Sequence, residues 1–368
     1  MVGGNASGQF RQTKNIVGQN RKKTIVKKER LKLFTAETGK LQMIIPIEWE
    51  YKNPSFYKTD NKAPESFGKY EKMRGAFQIS CKPVNLHIEG IIKANSLNVQ
   101  SSDSENLTFL EKLVEVEKSV NYMWICAIDD HFILVTYIVN SIQHNAKKGI
   151  EELQQVRKAL TTVKFIKPQF RDIVIAQNRY ALFLSSIAAT IDLRNRAISN
   201  GSFIEFITLT ANHIDALLRS AIILTNQLEK NNTDIDTSIL FQSETDKRIM
   251  EKDIYKRTFN TGIIDKKLFD ELTILYNERN KVVHRYIITD IRTEDILQIA
   301  SKYDQLDDKV NDLVNNLEKK QFELKIGLYG HGIEPGKEPK DDLIEKLKYK
   351  IRDKHGRIKL QDRRNELD

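Results

Sequence analysis

Two hydrophobic rhythms divide this chain. Between Phe34 and about Ile166, apolar residues come in short alternating runs; from Lys167 onward they recur at helical steps. In the first part, Met43–Tyr51, Phe77–Cys81 and Leu86–Ile91 predict strands separated by polar, proline-containing loops. Glu111–Ser119 predicts a short helix. Tyr122–Ile128 and Phe132–Val139 predict a hairpin that turns through Asp129-Asp130-His131, and a helix from Gly149 to roughly Val163 closes the unit. An antiparallel sheet with helices to one side, an α+β domain over residues 34–166, is the packing this order favours.

The second part predicts consecutive amphipathic helices. Asp172–Asn200 has Ile175, Ala181, Leu184, Ile187 and Ile191 along one side and stops at Asn200-Gly201. Ser202–Lys230 follows, with Phe206, Leu209, Ile214, Leu217 and Leu218 on its face. A shorter segment covers Glu244–Arg257, the next runs from about Asp265 to Ile288, and Glu294–Gln321 comes last. Short connections between such helices make a bundle, placed at residues 167–321. Two biased ends complete the division. Residues 1–33 form a glycine-rich arm that becomes basic (Arg21, Lys22, Lys23, Lys27, Lys28, Arg30), and residues 322–368 form a charged tail. Within the tail, Asp341–Ile351 predicts a helix with Leu343, Leu347 and Ile351 on one face. It serves as a partner-binding helix or as a solvated extension.

Composition narrows the class. The 368 residues suffice for more than one domain. Lys+Arg 59 against Asp+Glu 50 gives a net charge of +9, which admits an anionic partner without requiring one. Only Cys81 and Cys126 occur, without zinc spacing, which suits a reducing cytoplasm. Met1–Asn20 lacks the apolar stretch of a signal peptide, and the longest apolar runs, Phe132–Val139 and Tyr180–Ile191, are too short to span a bilayer. The expectation is a soluble cytoplasmic protein. The basic arm has two readings, a segment that attracts nucleic acid or a leader that only maintains solubility. Deleting residues 1–33 should weaken nucleic-acid binding about equally for all sequences and flatten its salt dependence, because lysines there meet only phosphates. Unchanged binding at low salt would identify the arm as inert.

The alternating region offers few chemical handles. Asp129, Asp130 and His131 adjoin, but neighbours on a tight turn rarely converge on one ion, so turn chemistry is the expected use. Trp49 and Trp124 are expected in the core, and His87, placed between Leu86 and Ile88, toward solvent.

The helical region contains an irregularity. Leu268, Leu272 and Leu275 mark one face, and continuing that stripe leads to Arg279, Val282 and Tyr286. An arginine thus stands where the pattern asks for an apolar side chain, a departure of the kind that marks functional sites. It opens the sequence Arg279-Asn280-Lys281-Val282-Val283-His284. Asn280 and His284 are four residues apart and share a face, whereas Arg279 and His284 project about 140° apart. One helix presents that pair poorly to one phosphate; two facing copies present it well. An imidazole that titrates near neutrality beside a guanidinium that grips phosphate oxygens is a minimal set for cleaving RNA.

Arg279-Asn280-x-x-x-His284, late in a helix of an all-helical region, resembles the signature of the HEPN superfamily. These are small helical bundles, many of them metal-independent RNases of toxin–antitoxin, CRISPR-associated and phage-defence systems. The resemblance implies an RNA endonuclease that uses neither metal nor cofactor and acts as a homodimer through the bundle. It implies Arg279, Asn280 and His284 as catalytic residues: His284 for proton transfer, Arg279 for charge on the phosphorus, Asn280 to orient His284. Lys281 and Arg285 lie outside the signature and suit contacts to flanking RNA phosphates. An acidic helper is common in such proteins; Glu278 is the nearest acid in sequence. The implied role is a toxin or phage-defence effector, with an antitoxin or defence-system partner and with residues 34–166 sensing a trigger or restraining the RNase. The alternative is a catalytically silent bundle that binds RNA or protein within a larger complex. Arg194-Asn195 repeats the start of the motif, but Ser199 stands at the histidine position, so the chain carries one copy and needs a second subunit for a paired site.

Overall fold

The computed structural model describes residues 30–51, 64–69, 74–104, 106–240 and 248–332, together with 334, 335 and 337. Residues 1–29 of the expected arm and the helix expected over Asp341–Ile351 lie outside the described residues.

The chain is a strand-rich α+β region followed by a helical one. β1 (Leu31–Thr35) takes up the last residues assigned to the arm and pairs antiparallel with β2 (Leu41–Pro46). β3 (Trp49–Tyr51), β4 (Glu65–Lys69) and β5 (Gly75–Pro83) begin a second sheet, and α1 (Leu86–Ala94) follows. β6 (Val99–Gln100), β7 (Leu110–Val116), β8 (Ser119–Ile128) and β9 (His131–Asn140) complete that sheet. Its order is β3-β4-β5-β9-β8-β6, with β7 also on β8 and β6 running parallel to β8. α2 (Ser141–His144) and α3 (Lys147–Leu160) lead to β10 (Lys164–Phe165), which joins β2 in the first sheet. Leu153, Val156, Ala159 and Leu160 of α3 fill one core with Trp49, Phe77, Trp124, Ile133 and Tyr137.

Three readings of this region are corrected. Leu86–Ile91 is helix, not strand: Asn85 caps it by accepting from the Ile88 amide at 2.9 Å. Ile88, Ile91 and Ile92, at helical spacing, pack on Ile125 and Phe132. His87 is exposed, on a helix. Residues 110–116 are strand, not helix. Leu110, Leu113 and Val114 have helical spacing, but a seven-residue ladder with β8 prevails over that local period. Met43–Tyr51 is broken after Pro46, and its two halves enter different sheets. The hairpin at Asp129-Asp130 is as expected. Asp129 takes a left-handed φ of 46° and accepts from the Ser102 amide, while Asp130 pairs with His131 Nδ1 at 2.6 Å. Both tryptophans are buried.

The helical region comprises α4 (Pro168–Ser199), α5 (Phe203–Lys230), α6 (Glu251–Asn260), α7 (Lys266–Arg285) and α8 (Thr293–Leu324). α6 starts seven residues later than the pattern suggested, and residues 241–247 lie outside the described ones. α7 ends at Arg285 in a 3₁₀ turn, Tyr286–Ile288. α5 packs against α4, α6, α7 and α8, and Ile207, Ile214, Leu218 and Ala221 along it are fully enclosed. By length and composition α5 could cross a membrane, which the sequence reading overlooked; 67% of that apolar stretch is buried in the bundle, as in a core helix. Arg194 of the incomplete motif is structural. It donates to Asp307 of α8 at 2.6 Å, and the other oxygen of Asp307 meets His213 Nδ1 of α5 at 2.6 Å. Those contacts tie three helices together. Gly39, in the β1–β2 turn with φ of 67°, touches α4: a Cβ there would lie 2.9 Å from Ile175 Cγ1.

Candidate functional site

α7 is fixed at its start by Asp265, which accepts from the Leu268 amide at 2.7 Å. Leu272, Leu275 and Val282 then turn into the bundle core, each almost fully enclosed. Arg279 belongs to this inward stripe, with only 14% of its side chain exposed. Its charge is met there. Nη1 lies 2.5 Å from Glu251 Oε2, in the first turn of α6, and Glu251 is as buried as the arginine. The other Glu251 oxygen accepts from the Tyr255 hydroxyl one turn along. Arg279 Nη2 donates to Asn280 Oδ1 at 3.1 Å, and the guanidinium lies 4.8 Å from the centre of the Tyr276 ring.

A second layer holds Glu251 in place. Arg219 of α5 pairs with Asp215 at 2.7 Å and donates to the carbonyls of Ile239 and Ile249. Ile249 is two residues ahead of Glu251, so Arg219 anchors the entry to α6. The Tyr303 hydroxyl of α8 donates to the Leu275 carbonyl at 3.0 Å, fixing α7 from its other side. Burial raises the Glu251 carboxyl above its usual range, and neither Tyr255 nor Arg279 fully cancels that rise. Asp215 is raised for the same reason. Burial alone would lower the Arg279 guanidinium; the carboxylate of Glu251 outweighs it, and the arginine is held more firmly charged than usual.

His284 lies elsewhere. It is exposed in the last turn of α7. Among the described residues it makes no hydrogen bond or ion pair. Lys281 and Arg285 beside it are exposed as well. Beyond them the surface turns apolar: Val283 is 39% exposed, Tyr286 43%, Ile288 78% and Ile287 94%. The structure therefore brings Arg279 to Asn280 and leaves His284 apart on the surface. Asn280 gives its side-chain oxygen to Arg279, where the sequence reading expected it to orient His284.

Sequence reasoning missed Glu251, Tyr255, Asp215 and Arg219. One signal was available. A charge on an otherwise apolar stripe requires a buried counter-charge, and Glu251 with Tyr255 offers two polar groups on one helix face. Glu278, the nearest acid in sequence, instead faces Lys302 of α8 at 3.7 Å. An open cleft lined by Thr225, Gly262, Lys309, Asp312 and Lys320 adjoins the start of α7, a helix length away from His284.

No family model matches the chain, and no curated protein does. Among solved structures, a crystal structure from Bacteroides thetaiotaomicron VPI-5482 is similar over 54% of this chain and 79% of that one, at 14% identity and a TM-score of 0.28. That likeness is too slight to bear on fold or function.

Proposed function

We propose that the chain is an RNA endonuclease of HEPN type that works without a metal or cofactor, as a homodimer, in the manner of a toxin or phage-defence effector. The observation that carries the reading is the end of α7. There an exposed His284, without a hydrogen bond or ion pair among the described residues, stands between Lys281 and Arg285, one turn beyond the Arg279–Asn280 pair and next to an exposed apolar tip. His284 assists proton transfer at the 2′-hydroxyl or the leaving 5′-oxygen, help worth about 10²–10⁴ in rate. Arg279 meets the charge that develops on the phosphoryl oxygens, and Glu251 is the acidic residue that holds it. Lys281 and Arg285 contact flanking phosphates. Two subunits joined at their α7 tips supply two of each group to one cleft.

One observation favours the rival, a catalytically silent module that binds RNA or protein. Arg279 is already satisfied by Glu251, Asn280 and Tyr276, so it must exchange partners before it meets a phosphate. Incubating the pure protein with total RNA separates the two. Cleavage with 2′,3′-cyclic phosphate ends, sparing a DNA of the same sequence, is expected; intact RNA would leave the silent module. EDTA should not change the rate, since no ligand-spaced cluster of His, Asp, Glu or Cys surrounds the motif in the sequence. Activity that EDTA abolishes and Mg²⁺ or Zn²⁺ restores would end the metal-free mechanism.

A further inference from the structure

The α+β region carries an edge that the proposed nuclease chemistry does not use. Among the described residues, β7 is hydrogen-bonded on one side only: every residue from Leu110 to Val116 pairs with β8, Leu110 with Ile125 through Val116 with Ser119, without a bulge. All seven residues are exposed. Its other edge therefore offers a row of backbone N–H and C=O groups to solvent, from alternate residues. Natural sheets blunt such edges by keeping them short, bulged, proline-bearing or lysine-rich. β7 is long, regular and free of proline, with Lys112 its single lysine. It is also apolar on both faces: Leu113 (51% exposed) on one, Val114 (42%) and Val116 (50%) on the other. Local propensity does not account for this, since the segment reads as helix in isolation.

The charges select the occupant. Glu111, Leu113 and Glu115 share one face. Glu111 is held by the Trp124 indole and by Arg157 at 2.5 Å, and Glu115 is exposed. A second copy of β7, paired antiparallel in full register about a two-fold axis, sets Glu111 opposite Glu115 twice, and other registers that keep the faces matched shorten the ladder. Like charges directly opposite are destabilising. We infer that β7 is a docking edge for an extended segment of another protein, which adds as an antiparallel strand with basic residues opposite Glu111 and Glu115 and apolar residues opposite Leu110, Leu113, Val114 and Val116.

The probe is a fluorescent heptapeptide, VKVIEKV, that places lysines opposite both glutamates, titrated against the full chain by anisotropy. Saturable binding is expected, about tenfold weaker for the charge-exchanged VEVIKEV. Glu115→Lys should narrow or reverse that preference. Of two peptides N-methylated on alternate residues, one should bind like the parent and the other should not, because only one set of amides faces β7. Val114→Lys should abolish binding while leaving the melting temperature within a few degrees, since this side chain is solvent-exposed. Absence of binding, or equal binding by both methylated peptides, would overturn the inference. A self-association of the chain that Val114→Lys removes would assign the edge to a second copy instead.

Discussion

Replacing His284 with alanine is expected to cost about 10²–10⁴ in RNA cleavage, the range of general acid–base help, while leaving the fold unchanged. The side chain is exposed and bonds to nothing among the described residues, so its removal disturbs no packing. Arg279→Ala should abolish cleavage as completely, but not silently. It strips the counter-charge from Glu251, whose side chain is only 13% exposed, and breaking one side of such a pair costs about 3 kcal/mol, the low end for buried pairs. In a helical region of this size that lowers the melting temperature by roughly 10 °C. The cost comes from the ion pair to α6, which the motif itself does not reveal.

The loss also has a pH signature. Burial already raises the Glu251 carboxyl above the 4.5 of an unperturbed glutamate, and without Arg279 it rises further. A carboxyl whose folded pKa exceeds its unfolded one contributes stability that is full below the unfolded value and lost as pH climbs through the folded one. The melting-temperature deficit of Arg279→Ala should therefore shrink as pH falls toward 4.5. Arg279→Ala combined with Glu251→Gln removes the stranded charge and should recover much of the stability without recovering cleavage. If the double variant cut RNA, Arg279 would be a structural residue and nothing more. A deficit independent of pH would show that Glu251 is not what the arginine neutralises.

How much of this was legible without coordinates depends on the range of each interaction. Leu268, Leu272, Leu275 and Val282 specify their own helix, because the partners that define a helical face are three and four residues away, and Asp265 supplies its cap. The bundle was legible for the same reason. Glu111–Val116 was not: its apolar spacing fits a helix, and only the ladder with Ser119–Trp124 decides for strand. Leu86–Ile91 failed in the opposite direction, since its isoleucines were read with a period of two while Asn85 already marked a helix start. At the candidate site the motif residues are contiguous and visible, whereas Glu251 is separated from Arg279 by a turn and most of two helices. The sequence reveals that the arginine needs a partner, and the fold identifies it. His284 lies in the last turn of its helix, as expected, but that Asn280 turns its side-chain oxygen to Arg279 is decided by the fold.

The proposed homodimer gives the other large effect. Within one subunit, Arg279 turns inward to α6 and His284 faces solvent, so one chain does not present both to a single phosphate. Ile287 and Ile288, exposed at 94% and 78% among the described residues, are where the second subunit of the proposed dimer would sit. Pairing two α7 tips about a two-fold axis encloses those isoleucines with Val283 and Tyr286. It also sets two His284 side chains, flanked by Lys281 and Arg285 from each subunit, around one electropositive cleft. Because the basic residues repel across that axis, bound RNA should tighten the dimer and added salt should tighten it in the absence of RNA. Ile287→Asp with Ile288→Asp removes the apolar tip and adds like charges at its centre, yet touches no buried residue. The variant should melt like the parent, sediment as a monomer of 42.7 kDa and lose cleavage by at least the His284→Ala factor. Mixing Arg279→Ala with His284→Ala subunits should then restore part of the activity, since a mixed dimer holds one intact copy of each group in its cleft. Full cleavage by the monomeric variant would refute the composite site, and no recovery on mixing would place both groups of each cut in the same subunit.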